Sequence, residues 1–196
     1  CGETAFDQLY RRLELEKIER VYVLQTHLHA DHVGSLGSLI SYFHHILGRQ
    51  VTVVHPQPTI VQLLTLEGIG RQGYVYEERL PGNDAGLQAE PVEVKHAADM
   101  KCYGYVITDQ AESIYYSGDS SELPPGIRER FLKGEIQRIY HDTASEDLPT
   151  PSHCYYGKME GWIPKEKRGQ VYCMHLDSPC EELLKSKGFS VVEVEK

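Results

Sequence analysis

Two hydrophobic periods alternate along the chain, one of about 3.6 residues and one of short continuous apolar runs. Apolar residues at 5, 6, 9, 10 and 13 share one face and predict a helix from Ala5 to Leu13. Val21–Leu24 is a short apolar strand that runs straight into Thr26-His27. A helix over about Ser35 to Leu47 has Leu36, Leu39, Ile40, Phe43 and Leu47 as its core stripe and stops at Gly48. Val51–Val54 reads as a second buried strand and Thr59–Leu66 as a second such helix, ending near Gly68. From Tyr74 to His96 the pattern is extended and turn-rich, with Pro81-Gly82-Asn83-Asp84 as a turn. Tyr103–Thr108 and Ser113–Ser117 predict a hairpin. A helix near Gly126–Leu132, a strand at Glu135–Tyr140, a short helix near Cys154–Met159 and a strand at Gln170–Met174 follow. The chain ends in a helix, Cys180–Lys187, and a strand, Val191–Val194. No repeat or flexible linker interrupts this order, and Ser145–Ser152, with two prolines, reads as a surface loop. One α/β domain over residues 1–196 is the expectation.

Composition narrows the class. A length of 196 residues suits one sizeable domain, and no apolar run approaches the roughly 20 residues that span a bilayer. Five cysteines, an odd number without a C-x-x-C pair, argue against a disulfide framework and for a reducing, cytoplasmic setting. The formal charge of −9, from 29 acidic and 20 basic residues, disfavours a protein that grips long nucleic acid with its whole surface. Ten histidines stand out, and their placement matters more than their number.

Three of them fall in Thr26-His27-Leu28-His29-Ala30-Asp31-His32-Val33-Gly34-Ser35-Leu36, directly between a buried strand and a helix. Imidazole and carboxylate are the ligands that suit a borderline divalent cation such as Zn²⁺. In extended chain His27 and His29 point the same way and can pinch one metal. Asp31 and His32, at the turn into the helix, are displaced along the chain and suit a second metal a few ångströms off, an arrangement that two-metal hydrolysis uses. Gly34 lets the backbone close tightly there.

The run His27-x-His29-x-Asp31-His32 resembles the signature of the metallo-β-lactamase superfamily. That resemblance implies a four-layer αββα sandwich and three further ligands at strand ends, a His, a bridging Asp and a last His. His96 after Pro91–Lys95, Asp119 in Ser117-Gly118-Asp119-Ser120 and His175 after Val171–Met174 match them in order. It further implies that His27, His29 and His96 hold one metal, that Asp31, His32 and His175 hold the other, and that Asp119 bridges both. Two divalent ions, Zn²⁺ or Mn²⁺, are the implied cofactors. The start Cys1-Gly2-Glu3 resembles the end of a family strand, so the opening strands of the fold are expected before residue 1.

Within the superfamily the motif and its Val33-Gly34-Ser35-Leu36 continuation resemble the tRNA 3′-processing endonuclease branch of phosphodiesterases. Ser152-His153-Cys154 stands where that branch has a His that contacts the scissile phosphate and protonates the leaving oxygen. Asp31 is then both ligand and proton acceptor, and His153 the substrate-binding acid. Asp142, in Tyr140-His141-Asp142-Thr143, stands where the branch carries Glu, and its role is left open. The long basic arm of bacterial tRNA endonucleases has no counterpart, since only residues 97–118 separate His96 from Asp119. A small phosphodiester is the remaining substrate, and the compact chain resembles the anti-Pycsar phosphodiesterases, which open cyclic nucleotides to linear monophosphates and silence cyclic-nucleotide immune signalling. A homodimer is the implied assembly, with no membrane and no long nucleic acid as partner. The competing readings are tRNA 3′-processing, a lactone or thioester hydrolase on the same site, and a non-catalytic nucleotide binder. Tyr103, Tyr105, Tyr155 and Tyr156 are candidates for stacking on a base, against ordinary cross-strand packing. Asp99 is a candidate for orienting a ligand, and Lys165–Arg168 reads as a solvated turn able to meet a phosphate.

Overall fold

A computed structural model of the chain describes residues 1–80, 82, 86–149 and 151–193. Contacts divide the chain into two compact units, Cys1–Leu80 and Pro81–Lys196, each with its own hydrophobic core.

The first unit runs α1 (Ala5–Arg12), β1 (Tyr22–Leu24), α2 (Ala30–Val33), α3 (Leu36–His45), β2 (Val51–Val54), α4 (Thr59–Leu66) and β3 (Tyr74–Glu77). Its strands form a parallel sheet in the order β1-β2-β3, with Val23 opposite Val53 and Val53 opposite Tyr76. A central parallel strand is covered on both faces, and Val51, Val53 and Val54 are accordingly all buried. The predicted α3 stripe is the core face: Leu36, Leu39, Ile40 and Phe43 are buried with Ile60 and Leu64 of α4. Each such side chain contributes roughly 1.5–3 kcal/mol of transfer free energy. Helix α1 buries none of its residues fully, and only Phe6 and Leu9 lean on the core.

The second unit runs β4 (Gln88–Val94), β5 (Cys102–Thr108), β6 (Ser113–Tyr116), α5 (Pro125–Leu132), β7 (Arg138–Asp142), α6 (Tyr156–Trp162), β8 (Val171–Met174), α7 (Glu181–Ser186) and β9 (Ser190–Val191). One sheet holds all six strands in sequence order, antiparallel from β4 to β6 and parallel from β6 to β9. Asp109 Oδ1 accepts the Ala111 and Glu112 amides and so closes the β5–β6 hairpin. Ile139, Val171 and Cys173 turn inward onto Ile127 and Phe131 of α5, Met159 of α6 and Leu184 of α7. The other side of the same strands carries Tyr140 and Tyr172, stacked with ring centroids 4.9 Å apart.

Two differences from the boundaries in the sequence pattern matter for the site. The strand expected at Glu135–Tyr140 is β7 at Arg138–Asp142. Glu135 instead closes the end of α5, its amide donating to Arg130 O (2.9 Å), and buried Ile136 packs beyond that end as an apolar residue that only imitates strand alternation. The shift carries His141 and Asp142 onto the end of the strand. The helix expected from Cys154 starts at Tyr156, because Ala144 and Tyr155 form a parallel bridge, with Ala144 N donating to Cys154 O (2.7 Å), that keeps Cys154 and Tyr155 out of it. Of the other expectations, the turn at 81–84 falls outside the described residues apart from Gly82, as do Thr150 of the 145–152 loop and Val194 of the last strand.

Candidate metal-binding residues and their setting

In the first unit the motif begins where β1 ends. Gln25 prolongs the strand, donating its amide to Val54 O (2.9 Å), and Gln25, Thr26 and His27 are buried in succession. The Gln25 carboxamide then donates to His27 O (2.7 Å) and His32 O (3.2 Å), folding the motif back on itself. No signal in the sequence marked Gln25 for this part. The Thr26 hydroxyl lies 3.1 Å from His27 Nδ1, and His27 Nε2 lies 3.0 Å from His29 Nδ1. Two nitrogens about 2.05 Å from a tetrahedral ion are roughly 3.3 Å apart, so this pair has ligand spacing. His32, on α2, brings its ring centroid to 4.1 Å from that of His27. Asp31 Oδ2 is 3.4 Å from His32 Nε2, with its side chain 61% exposed. Gly34 is in the right-handed region, and space is what requires glycine: a Cβ there would meet Ala30 O at 2.8 Å and the Glu3 side chain at 3.2 Å. His55, just after β2, donates Nδ1–H to Gln25 O (2.9 Å) and so braces the start of the motif, and burial pushes its pKa down against the opposite pull of that bond.

In the second unit three neighbouring parallel strands, β6, β7 and β8, lead to Asp119, Asp142 and His175. Parallel register aligns their C-terminal ends, with Tyr116 opposite Tyr140 and Tyr140 opposite Tyr172. His96 follows β4, and the Ser121 amide donates to Lys95 O (2.7 Å), tying the Asp119 loop to it. His96 Nδ1 donates to Ser152 O (2.8 Å), so its Nε2 is the nitrogen that faces Asp119 Oδ2, at 3.6 Å. His175 Nε2 faces the same oxygen at 3.9 Å. Among the described residues His175 is the non-glycine residue with positive φ (53°), a conformation that costs roughly 1–2 kcal/mol and persists only where surroundings hold it. The His153 ring lies 5.2 Å from that of His96 and stacks at 5.2 Å on that of His175. Two groups of donors, His96–Asp119–His153 and Asp142–His153–His175, each lie within 4.8 Å of one another, close enough to hold a metal ion.

The four residues that the sequence selected in this unit therefore come together, and Asp142 joins them. Asp142 is fully buried. Its Oδ2 accepts His153 Nδ1–H (2.7 Å) and the Ser120 amide (3.0 Å), and its own amide donates to Ser117 Oγ (2.9 Å). Burial alone would raise this carboxyl, but His153, His175 and the Ser120 amide together outweigh it and hold the pKa below the ordinary value. The bond to Asp142 in turn raises the His153 pKa against the opposite pull of burial. Gly118, at φ 59°, turns β6 into this loop. Gly118→Ala is expected to cost about 1–2 kcal/mol, read as a lowered Tm, and to weaken metal binding as Asp119 shifts.

Other candidates fall away. Tyr103 and Tyr105 are buried in β5 and offer no free face to a base, whereas Tyr155 and Tyr156 are half-buried and pack edge-to-face at 4.8 Å. Asp99 is exposed. Arg168, expected in a solvated turn, is instead committed to Ile163 O, Glu160 and Lys187 O. The cysteines are free, and burial pushes Cys154 up to about 12 and Cys173 to about 11, so neither is a reactive thiolate.

A family profile described as anti-Pycsar protein Apyc1 matches residues 1–194. The chain belongs to that family. The anti-Pycsar protein Apyc1 of Saccharibacillus brassicae is 26% identical over 206 residues, covering 96% of this chain and 81% of the relative. Among solved structures, a diphosphatase from the PhnP family superposes with a TM-score of 0.71 at 23% identity, covering 97% of this chain and 74% of that one. The metallo-β-lactamase fold protein YhfI from Bacillus subtilis does so with a TM-score of 0.67 at 16% identity, covering 100% and 82%. The fold of the chain is that of the metallo-β-lactamases, as the motif implied. Among the described residues no helix is long and apolar enough to cross a membrane.

Proposed function

We propose that this chain is a metal-dependent phosphodiesterase that opens small cyclic nucleotides to linear monophosphates and so silences cyclic-nucleotide immune signalling. The family supports the substrate class, and one observation carries the chemistry: His153, held by buried Asp142, stands beside His96 and Asp119. The donor set fits divalent cations. His96 commits Nδ1 to a backbone oxygen and turns Nε2 towards Asp119, His27 places Nδ1 beside a hydroxyl and Nε2 beside His29, and Asp119 is a nearly buried carboxylate facing two imidazoles. In this reading His27, His29 and His96 would hold one ion, Asp31, His32 and His175 a second, and Asp119 would serve both. When bound, such ions acidify a water nucleophile and polarise the phosphate oxygens. The residues of the chain do the rest. Asp31, exposed and next to His32, is the carboxylate able to accept the proton of the attacking water. His153 binds a phosphate oxygen and gives its proton to the departing ribose oxygen, with its pKa raised so that the protonated form is available. Free, unreactive thiols fit a cytoplasmic setting, and a homodimer is the assembly we adopt.

The test is a hydrolysis panel on the purified chain with Zn²⁺ or Mn²⁺. It offers 3′,5′-cyclic CMP, UMP, AMP and GMP, a cyclic dinucleotide, precursor tRNA, and a lactone and a thioester. Turnover of cyclic mononucleotides, abolished by chelator and restored by metal, is expected. Cleavage of precursor tRNA alone, or of the lactone or thioester alone, would overturn the reading.

A further inference from the structure

Asp142 has a second oxygen that the role above leaves unused. Its Oδ2 is committed to His153 and Ser120, whereas Oδ1 is buried and has no hydrogen-bond partner. That atom lies 3.5 Å from Nδ1 of His175, too long for a hydrogen bond as it stands, and a ring rotation or a few tenths of an ångström from one. The two imidazoles stack with an interplanar angle of 26°, and the Nε2 of His175 points towards Asp119. Both rings thus stand like parallel rungs above one carboxylate.

The geometry points to Asp142 as a shared positioning residue, whose two oxygens orient both the acid His153 and the metal-ligand candidate His175 by accepting an Nδ1–H from each. This rests on the phosphodiesterase reading for the roles of the two rings, but not for the orientation itself. A buried acceptor without a donor is costly, and His175 Nδ1 is the donor within reach. A carboxylate is needed because both of its oxygens accept; an amide accepts through one and donates through the other, so Asn at this position can serve only one ring.

Two readouts test this on the full chain, and neither depends on turnover. In the metal-free wild type, long-range ¹⁵N–¹H spectra of labelled histidine at alkaline pH should show His153 and His175 both as Nδ1–H tautomers; an Nε2–H tautomer at His175 would overturn the inference. Chelator competition with Zn²⁺ should show Asp142→Asn weakening the affinity about 10- to 100-fold, as loss of an orienting partner does, while His153→Ala leaves it within about threefold. Unchanged Zn²⁺ affinity in Asp142→Asn, or an equal loss in His153→Ala, would overturn it. The wild-type spectra decide the matter even if Asp142→Asn fails to fold. A wild type with these tautomers and no phosphodiesterase activity would sink the proposed function and leave the shared orientation standing.

Discussion

Asp119→Ala is expected to reduce cyclic-nucleotide hydrolysis by about a thousandfold or more. The carboxylate is nearly buried and faced by both His96 and His175. With metal bound, the ligand set would supply a water whose pKa lies far below that of bulk water. Steady-state kinetics with cyclic CMP, alongside metal content of the purified variant, measures this. The fold should survive, because the loop keeps its Ser120–Asp142 and Ser121–Lys95 bonds. A variant that retains metal and turns over within tenfold of wild type would remove Asp119 from the site.

His153→Ala carries the second large effect, and its pattern across substrates is more informative than its size. Loss of a general acid lowers kcat by about 10²- to 10⁴-fold when the leaving group is a strong base. The ribose oxygen of a cyclic nucleotide is such a group, whereas p-nitrophenolate departs without help. Bis(p-nitrophenyl) phosphate hydrolysis should therefore fall by less than about tenfold in the same variant. An equal fall on both substrates would make His153 a phosphate binder and not an acid. No fall on either would remove His153 from the reaction.

How far the residues disclosed the site depended on how close together in sequence they lie. His27, His29, Asp31 and His32 were readable directly, because packing or helix capping alone rarely sets four ligand-type residues in six positions between a strand and a helix. His96, Asp119 and His175 are single residues at strand ends, and only their order after that motif singled them out. Asp142 was visible but could not be assigned. The apolar Ile136 drew the predicted strand three residues early, which left Asp142 beyond its end instead of on it. Gln25 and Ser152 left no trace, because one acts through a carboxamide on two carbonyls and the other through its own carbonyl.

The sequence by itself determined the elements, the α/β class and the kind of chemistry, since hydrophobic period and ligand type are local properties. Which ring nitrogen of His96 and of His153 is tied to an oxygen of the protein was decided only by tertiary structure. Parallel pairing of β6, β7 and β8 sets Asp119, Asp142 and His175 side by side although more than 50 residues separate the first from the last. That pairing buries Asp142 and gives its two oxygens different neighbours. Hydrogen-bond partners across strands are not encoded in any short segment, because they depend on register between segments brought together by the core.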